Sequence, residues 1–165
     1  MDYNEVYKLI KEAFVSSKHI DGNEQDLVVA LKKSDAIFPK LSLVAKINNE
    51  LTGYILFTKA KVNNNEVLVL ASLAIKPKYQ QHEIEMALIN EGHKIAKKLS
   101  YQDSMVLGSE TYYPKTGYIE AKDLGIEIPK GITFKKFMAI KLREDAKLIK
   151  GKLIYAKEFG MQNSA

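Results

Sequence analysis

The chain has 165 residues, 46 % hydrophobic and 27 % charged, the size and balance of one globular domain with a core of its own. It contains no cysteine, which excludes disulfides, thiolate metal ligands and cysteine nucleophiles together and suits a reducing cytoplasm. The net charge of +5 comes from scattered lysines, with no basic stripe interleaved with aromatics, so small anions are mildly favoured and nucleic acid is not an expected partner.

In chain order, residues 2–14 place Tyr3, Val6, Tyr7, Ile10 and Phe14 at three- and four-residue steps, the stripe of a helix lying on a core. This start is amphipathic and acidic, and no run of 18 apolar residues follows anywhere, so neither a signal peptide nor a membrane span is expected. A second helix is predicted over 23–33, with Asn23 as its cap and Leu27, Val28 and Leu31 inward. After Pro39, "LSLVAKI" (41–47) and "LTGYILFTKAKV" (51–62) are predicted strands joined through Asn48, Asn49 and Glu50. The turn "NNNE" leads to "VLVLASLAI" (67–75), so apolar that it suits a strand covered on both faces, and Pro77 ends it.

A helix is predicted from about 82 to 99, with Ile84, Leu88, Ile95 and Leu99 inward and Lys94, Lys97 and Lys98 near its C-terminal end. "SMVLG" (104–108) reads as a short buried strand and "SETYYPKTGY" (109–118) as a turn-rich passage. "FKKFMAIKL" (134–142) and "KLIYA" (152–156) are later strand candidates. No repeat, low-complexity tract or linker divides the chain, so residues 1–165 are expected to form a single α/β domain.

Residue supply excludes several chemistries. His82 and His93 are roughly 16 Å apart along one helix and cannot share a metal; both are expected on the solvated surface, and no metal is expected. No nucleophile elbow, Walker loop or dinucleotide glycine fingerprint occurs.

One combination stands out: the apolar strand "LASLAIKP", then "KYQ", a helix, the short strand "MVLG", and "YYPKTGY". In this order the chain resembles the GNAT superfamily of acetyl-CoA-dependent N-acetyltransferases, whose bacterial members carry "LAV-x-P-x-YQ-x-x-G-I-G-x-x-LI", "VLG" and "YY-x-R-F-G-F". "LSLVAKINNELTGYILFT" and "FMAIKL…GKLIYAKEF" extend the resemblance over residues 3–160. It implies a GNAT-type twisted mixed sheet with helices on both faces, α/β (α+β) in class. The strands near 67–75 and 104–108 would be parallel neighbours that diverge at their ends.

The resemblance also implies a site. Backbone groups of Leu73, Ala74 and Ile75 would hold the pantetheine arm of acetyl-CoA, and the loop Gln80, Gln81, His82, Glu83, Ile84, Glu85 and Met86 would wrap its pyrophosphate. The acceptor would be a small-molecule or protein amine that attacks the thioester directly, and a homodimer is compatible with the reading. Tyr113, four residues before Gly117, holds the position of the tyrosine that protonates the leaving thiolate; otherwise it packs under the loop. Tyr118 stands where the family has phenylalanine.

The chain departs from the pattern where the pyrophosphate would lie. The three loop glycines fall at Gln81, Glu83 and Glu85, so bulk and two negative charges replace residues that let backbone approach phosphates. Either the glutamates weaken coenzyme binding by repulsion, with His82, Lys76 and Lys78 as candidate compensating cations, or they point outward and favour the helix dipole. Restoring glycine there is expected to cost helix stability. The family's first strand also has no counterpart before the first helix, and "KTG" replaces an arginine and an aromatic. Three functions remain: an acetyl-CoA-dependent acetyltransferase, a non-catalytic GNAT-fold binding or regulatory module, and an enzyme with another acyl donor. Glu110 is a candidate base, or an exposed turn residue.

Overall fold

Two asparagine turns fold the middle of the chain into three long strands. The computed structural model describes residues 3–15, 37–80, 83–108, 110–128, 130–131, 134–145 and 151–154. Strands β1 (Ile37–Ile47) and β2 (Glu50–Val62) meet at a two-residue turn, Asn48 and Asn49, both with positive φ. Such a turn matches the twist of the strands it joins, and asparagine tolerates the left-handed region. Glu50 therefore opens β2 instead of belonging to the turn. Asn63, again left-handed, begins the next turn, and β3 (Asn65–Ile75) starts two residues before the expected strand.

Helix α1 (Tyr3–Val15) precedes them, and α2 (Ile84–Lys98) follows β3 through a 3₁₀ turn at Pro77–Tyr79. The remaining strands are β4 (Asp103–Leu107), β5 (Ile119–Glu120), β6 (Ile126–Glu127), β7 (Phe137–Lys141) and β8 (Gly151–Ile154). The sheet runs in the order β5-β7-β4-β3-β2-β8-β6, with β1 also paired to β2. The contact of β3 with β4 is parallel, as expected of the strands near 67–75 and 104–108. Of the predicted strand 134–142, residues 134–136 form a 3₁₀ turn instead. The predicted helix over 23–33 lies outside the described residues.

Alternation along β2 and β3 puts a core on each face of the sheet. Ile55, Phe57, Leu68, Leu70 and Ile75 face α2. Tyr54, Leu56 and Ala74 face α1, whose buried stripe is Val6, Leu9, Ile10 and Ala13. The same face continues at the other end of the strands, where Val62, Val67, Val69, Met105 and Phe137 pack with Ile126 and Leu153. Helices thus cover opposite faces.

The buried face of α2 differs from the predicted stripe. Leu88, Ile89, Gly92, His93 and Ala96 are buried, while Ile84, Ile95 and Leu99 pack at the margin. Gly92 is the reason: a Cβ there would fall 2.3 Å from Cε2 of Phe57, so the ring lies directly against the helix backbone. Pressed down at this point, the helix carries the neighbouring His93 into the core, only 8 % exposed, which corrects its expected place on the surface. His93 Nε2 and Ser104 Oγ each lie 3.0 Å from the Tyr118 hydroxyl, and the histidine and tyrosine rings stand 5.5 Å apart. The Tyr118 hydroxyl thus satisfies two buried polar groups, each costly to leave unpaired.

Burial, aided by Lys97, pushes the His93 imidazole down to about 4. Burial pushes the Asp103 carboxyl up to about 6, while Lys141 beside it pulls the other way. The two act on stability with opposite signs. Between pH 6.5 and 4 the unfolded chain protonates at His93 while the folded chain does not, so acid destabilises the fold. Asp103 is charged at neutral pH at a cost, relieved as it protonates between pH 6 and 3.8. The native chain is therefore expected to change little in stability across this window. Asp103→Asn should raise the thermal midpoint at pH 7, leave it unchanged at pH 4, and so steepen the acid-side fall. Equal midpoints for both proteins at pH 7 would contradict the cost assigned to Asp103.

Candidate active site

The site begins where β3 and β4 part. Their ladder consists of Leu68↔Ser104 and Val69↔Met105; beyond it β3 runs on to Ile75, and β4 keeps company with β7 as far as Leu107↔Phe137. A bulge contributes, because β3 has one extra residue opposite β2 between Leu70 and Ser72. A cavity of about 880 Å³ opens between the parted ends. Leu73, Ala74 and Ile75 line one wall, and Leu107 and Gly108 the other. The backbone edge that β4 leaves along β3 borders this space, so polar groups otherwise paired in a ladder face whatever enters, apart from the Ile75 carbonyl, which Gln80 takes.

Tyr113 closes the far wall. It sits in a 3₁₀ turn, Tyr113–Thr116, that Gly117 ends in the left-handed region with φ 100°. The ring packs edge-on against Tyr112 and Tyr118, at 5.2 and 5.7 Å between centroids. It also lies against Gly108, where a Cβ would come within 2.5 Å of its Cε2. The glycine of "VLG" thus leaves room for the tyrosine, a link that spacing alone does not reveal. Tyr113 is buried yet lines the cavity, and burial pushes its phenol well above the usual value, with Tyr112 and Glu85 adding to the shift. It therefore stays protonated and can donate. Tyr112, also on the cavity, is pushed up to about 12 by burial and by Glu85.

The start of α2 forms the rim. Glu83 is its cap residue, with φ 65° and no side-chain hydrogen bond to the helix. The first backbone bond of the helix runs from the Ala87 amide to the Glu83 carbonyl. The amides of Ile84, Glu85 and Met86 therefore have no acceptor within the helix. The left-handed conformation that glycine would supply is present at Glu83 without glycine, at about 1–2 kcal/mol of backbone cost. Glycine at 83 would relieve this, so the expectation that it destabilises the helix is corrected at that position.

The two glutamates separate. Glu83 is exposed, whereas Glu85 is half-buried, lines the cavity and acts electrostatically on both tyrosines. An outward-pointing pair of carboxylates is therefore corrected for Glu85. Nor do Lys76 and Lys78 compensate, because both ammonium groups pair with Glu50, at 2.8 and 3.4 Å. Among the described residues lining the cavity, Glu85 and Glu110 carry negative charge and Lys136 alone carries positive charge.

Of the predicted site residues, the structure brings Leu73, Ala74, Ile75, Gln80, Glu85 and Tyr113 to one cavity. Gln80 Nε2 donates to the Ile75 carbonyl at 3.1 Å, tying the loop to the end of β3. Ile84 packs on the core, Met86 is half-buried in the first turn, and Gln81 and His82 lie outside the described residues. Sequence reasoning missed Ala13, Leu107, Gly108, Thr111, Tyr112 and Lys136 as lining residues. Glu110 is both exposed and on the cavity. Among the described residues, no group of three or more His, Asp or Glu side chains could hold a metal ion, and no helix is long and apolar enough to cross a membrane.

No family model matches the chain. A curated relative, the uncharacterized N-acetyltransferase YjhQ of Escherichia coli strain K12, is 33 % identical over 121 residues. That alignment takes in 71 % of this chain and 64 % of the relative, so less than two thirds of the relative's length is spanned. Among solved structures, the GNAT family N-acetyltransferase YhbS of Escherichia coli in complex with CoA superposes with a TM-score of 0.86 at 23 % identity, covering 96 % of this chain and 87 % of that one. A GNAT family acetyltransferase of Brucella melitensis in complex with acetyl-CoA gives 0.78 at 22 % identity, covering 96 % and 92 %. The parted parallel strands, the helices on opposite faces and these superpositions agree: the chain has the fold of the GNAT N-acetyltransferases.

Proposed function

We propose that the chain is an acetyl-CoA-dependent N-acetyltransferase that passes an acetyl group directly to an amine. The observation that carries this is one cavity bounded by the parted β3 and β4, with the α2 start on its rim and Tyr113 on its wall. Its residues fit a thioester donor. The free edge of β3 suits an extended arm bearing amides, much as a strand edge receives a peptide. The first amides of α2 suit a phosphate. Acetyl-CoA would supply an activated acyl group, and the chain would supply geometry and a proton.

Tyr113 is the proton donor in this reading. As the neutral amine nitrogen bonds to the carbonyl carbon and the C–S bond breaks, the phenol hydrogen passes to the departing sulfur, and the proton that the new amide nitrogen sheds restores the tyrosinate to phenol. A protonated phenol, kept so by burial, is ready for that step. The acceptor is a small-molecule or protein amine; two carboxylates against one ammonium on the cavity lining favour one that arrives as a cation and gives up a proton to solvent before it attacks. The cysteine-free composition suits a cytoplasmic setting.

Tyr113→Phe is expected to lower kcat about 100-fold or more, in the range of general acid catalysis. The thermal midpoint should move only slightly, since one hydroxyl is worth about 1 kcal/mol. Steady-state kinetics beside a melting curve separates the two, and unchanged turnover would assign Tyr113 to packing.

The position of Glu85 favours a second reading, a GNAT-fold module whose coenzyme binding has weakened. A carboxylate about 4 Å from a phosphate oxygen costs roughly 1 kcal/mol in water and about 4 kcal/mol at the effective dielectric of a protein surface. Glu85→Gly is therefore expected to tighten acetyl-CoA binding about tenfold, or about 1.4 kcal/mol, with the gain shrinking at high salt. Glu83→Gly should change affinity less and raise the melting temperature. Titration calorimetry at two salt concentrations decides: if neither the native chain nor the glycine variants bind acetyl-CoA, the catalytic reading falls.

A further inference from the structure

We propose that Glu50, beside the turn of the β1–β2 hairpin and outside the cavity, is the positioning residue for the loop that presents the acyl donor to α2. The inference rests on the acetyltransferase reading above and adds a residue to its machinery. The chain must turn sharply after Ile75 to bring Gln80 back to the cavity and lead on to Glu83. Backbone bonds make the turn itself: Lys76 N to Thr52 O at 2.8 Å, Tyr79 N to Lys76 O at 2.8 Å, and Gln80 N to Pro77 O at 3.3 Å. They set its local shape but attach it to the sheet only at Lys76.

Glu50 supplies the rest. Its Oε1 takes the Lys76 ammonium at 2.8 Å and the Lys78 ammonium at 3.4 Å, and its Oε2 accepts from the Tyr79 hydroxyl at 3.0 Å. Three side chains within four residues thus converge on one carboxylate 26 to 29 positions upstream. The Lys78 ammonium also lies 5.0 Å from the centre of the Tyr79 ring, which binds the turn to itself. Glu12 on α1 adds its charge to the hold on Lys76. The hydrogen bonds from Lys76 and Tyr79 hold the Glu50 carboxyl down at about 2, so the strap stays ionised in neutral water.

The hairpin, the 3₁₀ turn and Gln80 are thereby coupled, and Gln80 in turn grips the end of β3. Loss of the carboxylate would free the turn while leaving the core helix untouched. It would also release two ammonium groups that could approach a phosphate, an effect of opposite sign. The strap's positioning role predicts that loosening outweighs this attraction.

The test uses the full chain, native and with Glu50→Ala or Glu50→Gln, in two measurements. Amide hydrogen exchange at Tyr79 and Gln80 should speed up about tenfold or more in Glu50→Ala, with Leu88–Ala96 unchanged. Acetyl-CoA affinity by titration calorimetry should fall about tenfold, the order expected for a displaced positioning loop. Glu50→Gln should lie between, because its amide oxygen still accepts from Tyr79. Unchanged or tighter affinity in Glu50→Ala would overturn the proposal, as would faster exchange spread evenly over the protein. A native chain that does not bind acetyl-CoA would sink the acetyltransferase reading first, and this inference with it, before any variant is compared.

Discussion

The brevity of the β3–β4 ladder is the constraint on which the site depends. Two parallel strands normally satisfy each other's backbone along their length, yet here the pairing comprises two residue pairs. Past Val69 and Met105 the strands serve different masters: β3 stays with β2, and β4 with β7. The edge of β3 left behind is rich in donors and acceptors that an apolar wall would not satisfy. The proposed acyl donor draws on this wall, because such an edge suits an extended, amide-bearing guest. The ring of Tyr113, seated on Gly108, gives the far side of that cavity its shape.

Electrostatics works against geometry at the rim. The uncapped start of α2 offers amides and a partial positive charge, while Glu85 places a full negative charge on the same cavity. Glu83 itself takes the left-handed conformation that glycine would hold without strain. Backbone shape and side-chain charge therefore point in different directions at one spot. The lysines that could have reconciled them are engaged by Glu50 on the hairpin side.

The order of strands and the position of α2 were legible because alternation and helical spacing act over neighbouring residues. The parallel β3–β4 pairing and the gap between them came from resemblance, since no local pattern encodes which strands meet. The burial of His93 was not legible: it follows from Gly92 meeting Phe57, residues 35 positions apart, and from a tyrosine at 118 ready to pair with it. The Glu50 strap was not legible for the same reason: Lys76 and Lys78 stand beside the loop in sequence, whereas their partner sits in a hairpin far upstream. Of the candidate site, the β3 wall and Tyr113 were read from motif positions, whereas Tyr112, Lys136 and the inward course of Glu85 depend on how loops fold over the sheet.

The central claim is that an acyl-donor arm lies along the free edge of β3 with its phosphates at the start of α2. Backbone amide chemical shifts followed during titration with acetyl-CoA test this most directly. The account predicts that the largest changes fall on Leu73–Ile75, Ile84–Met86 and Gly108, with β6 and β8 unmoved. Shifts concentrated elsewhere, or none at saturating acetyl-CoA, would contradict it.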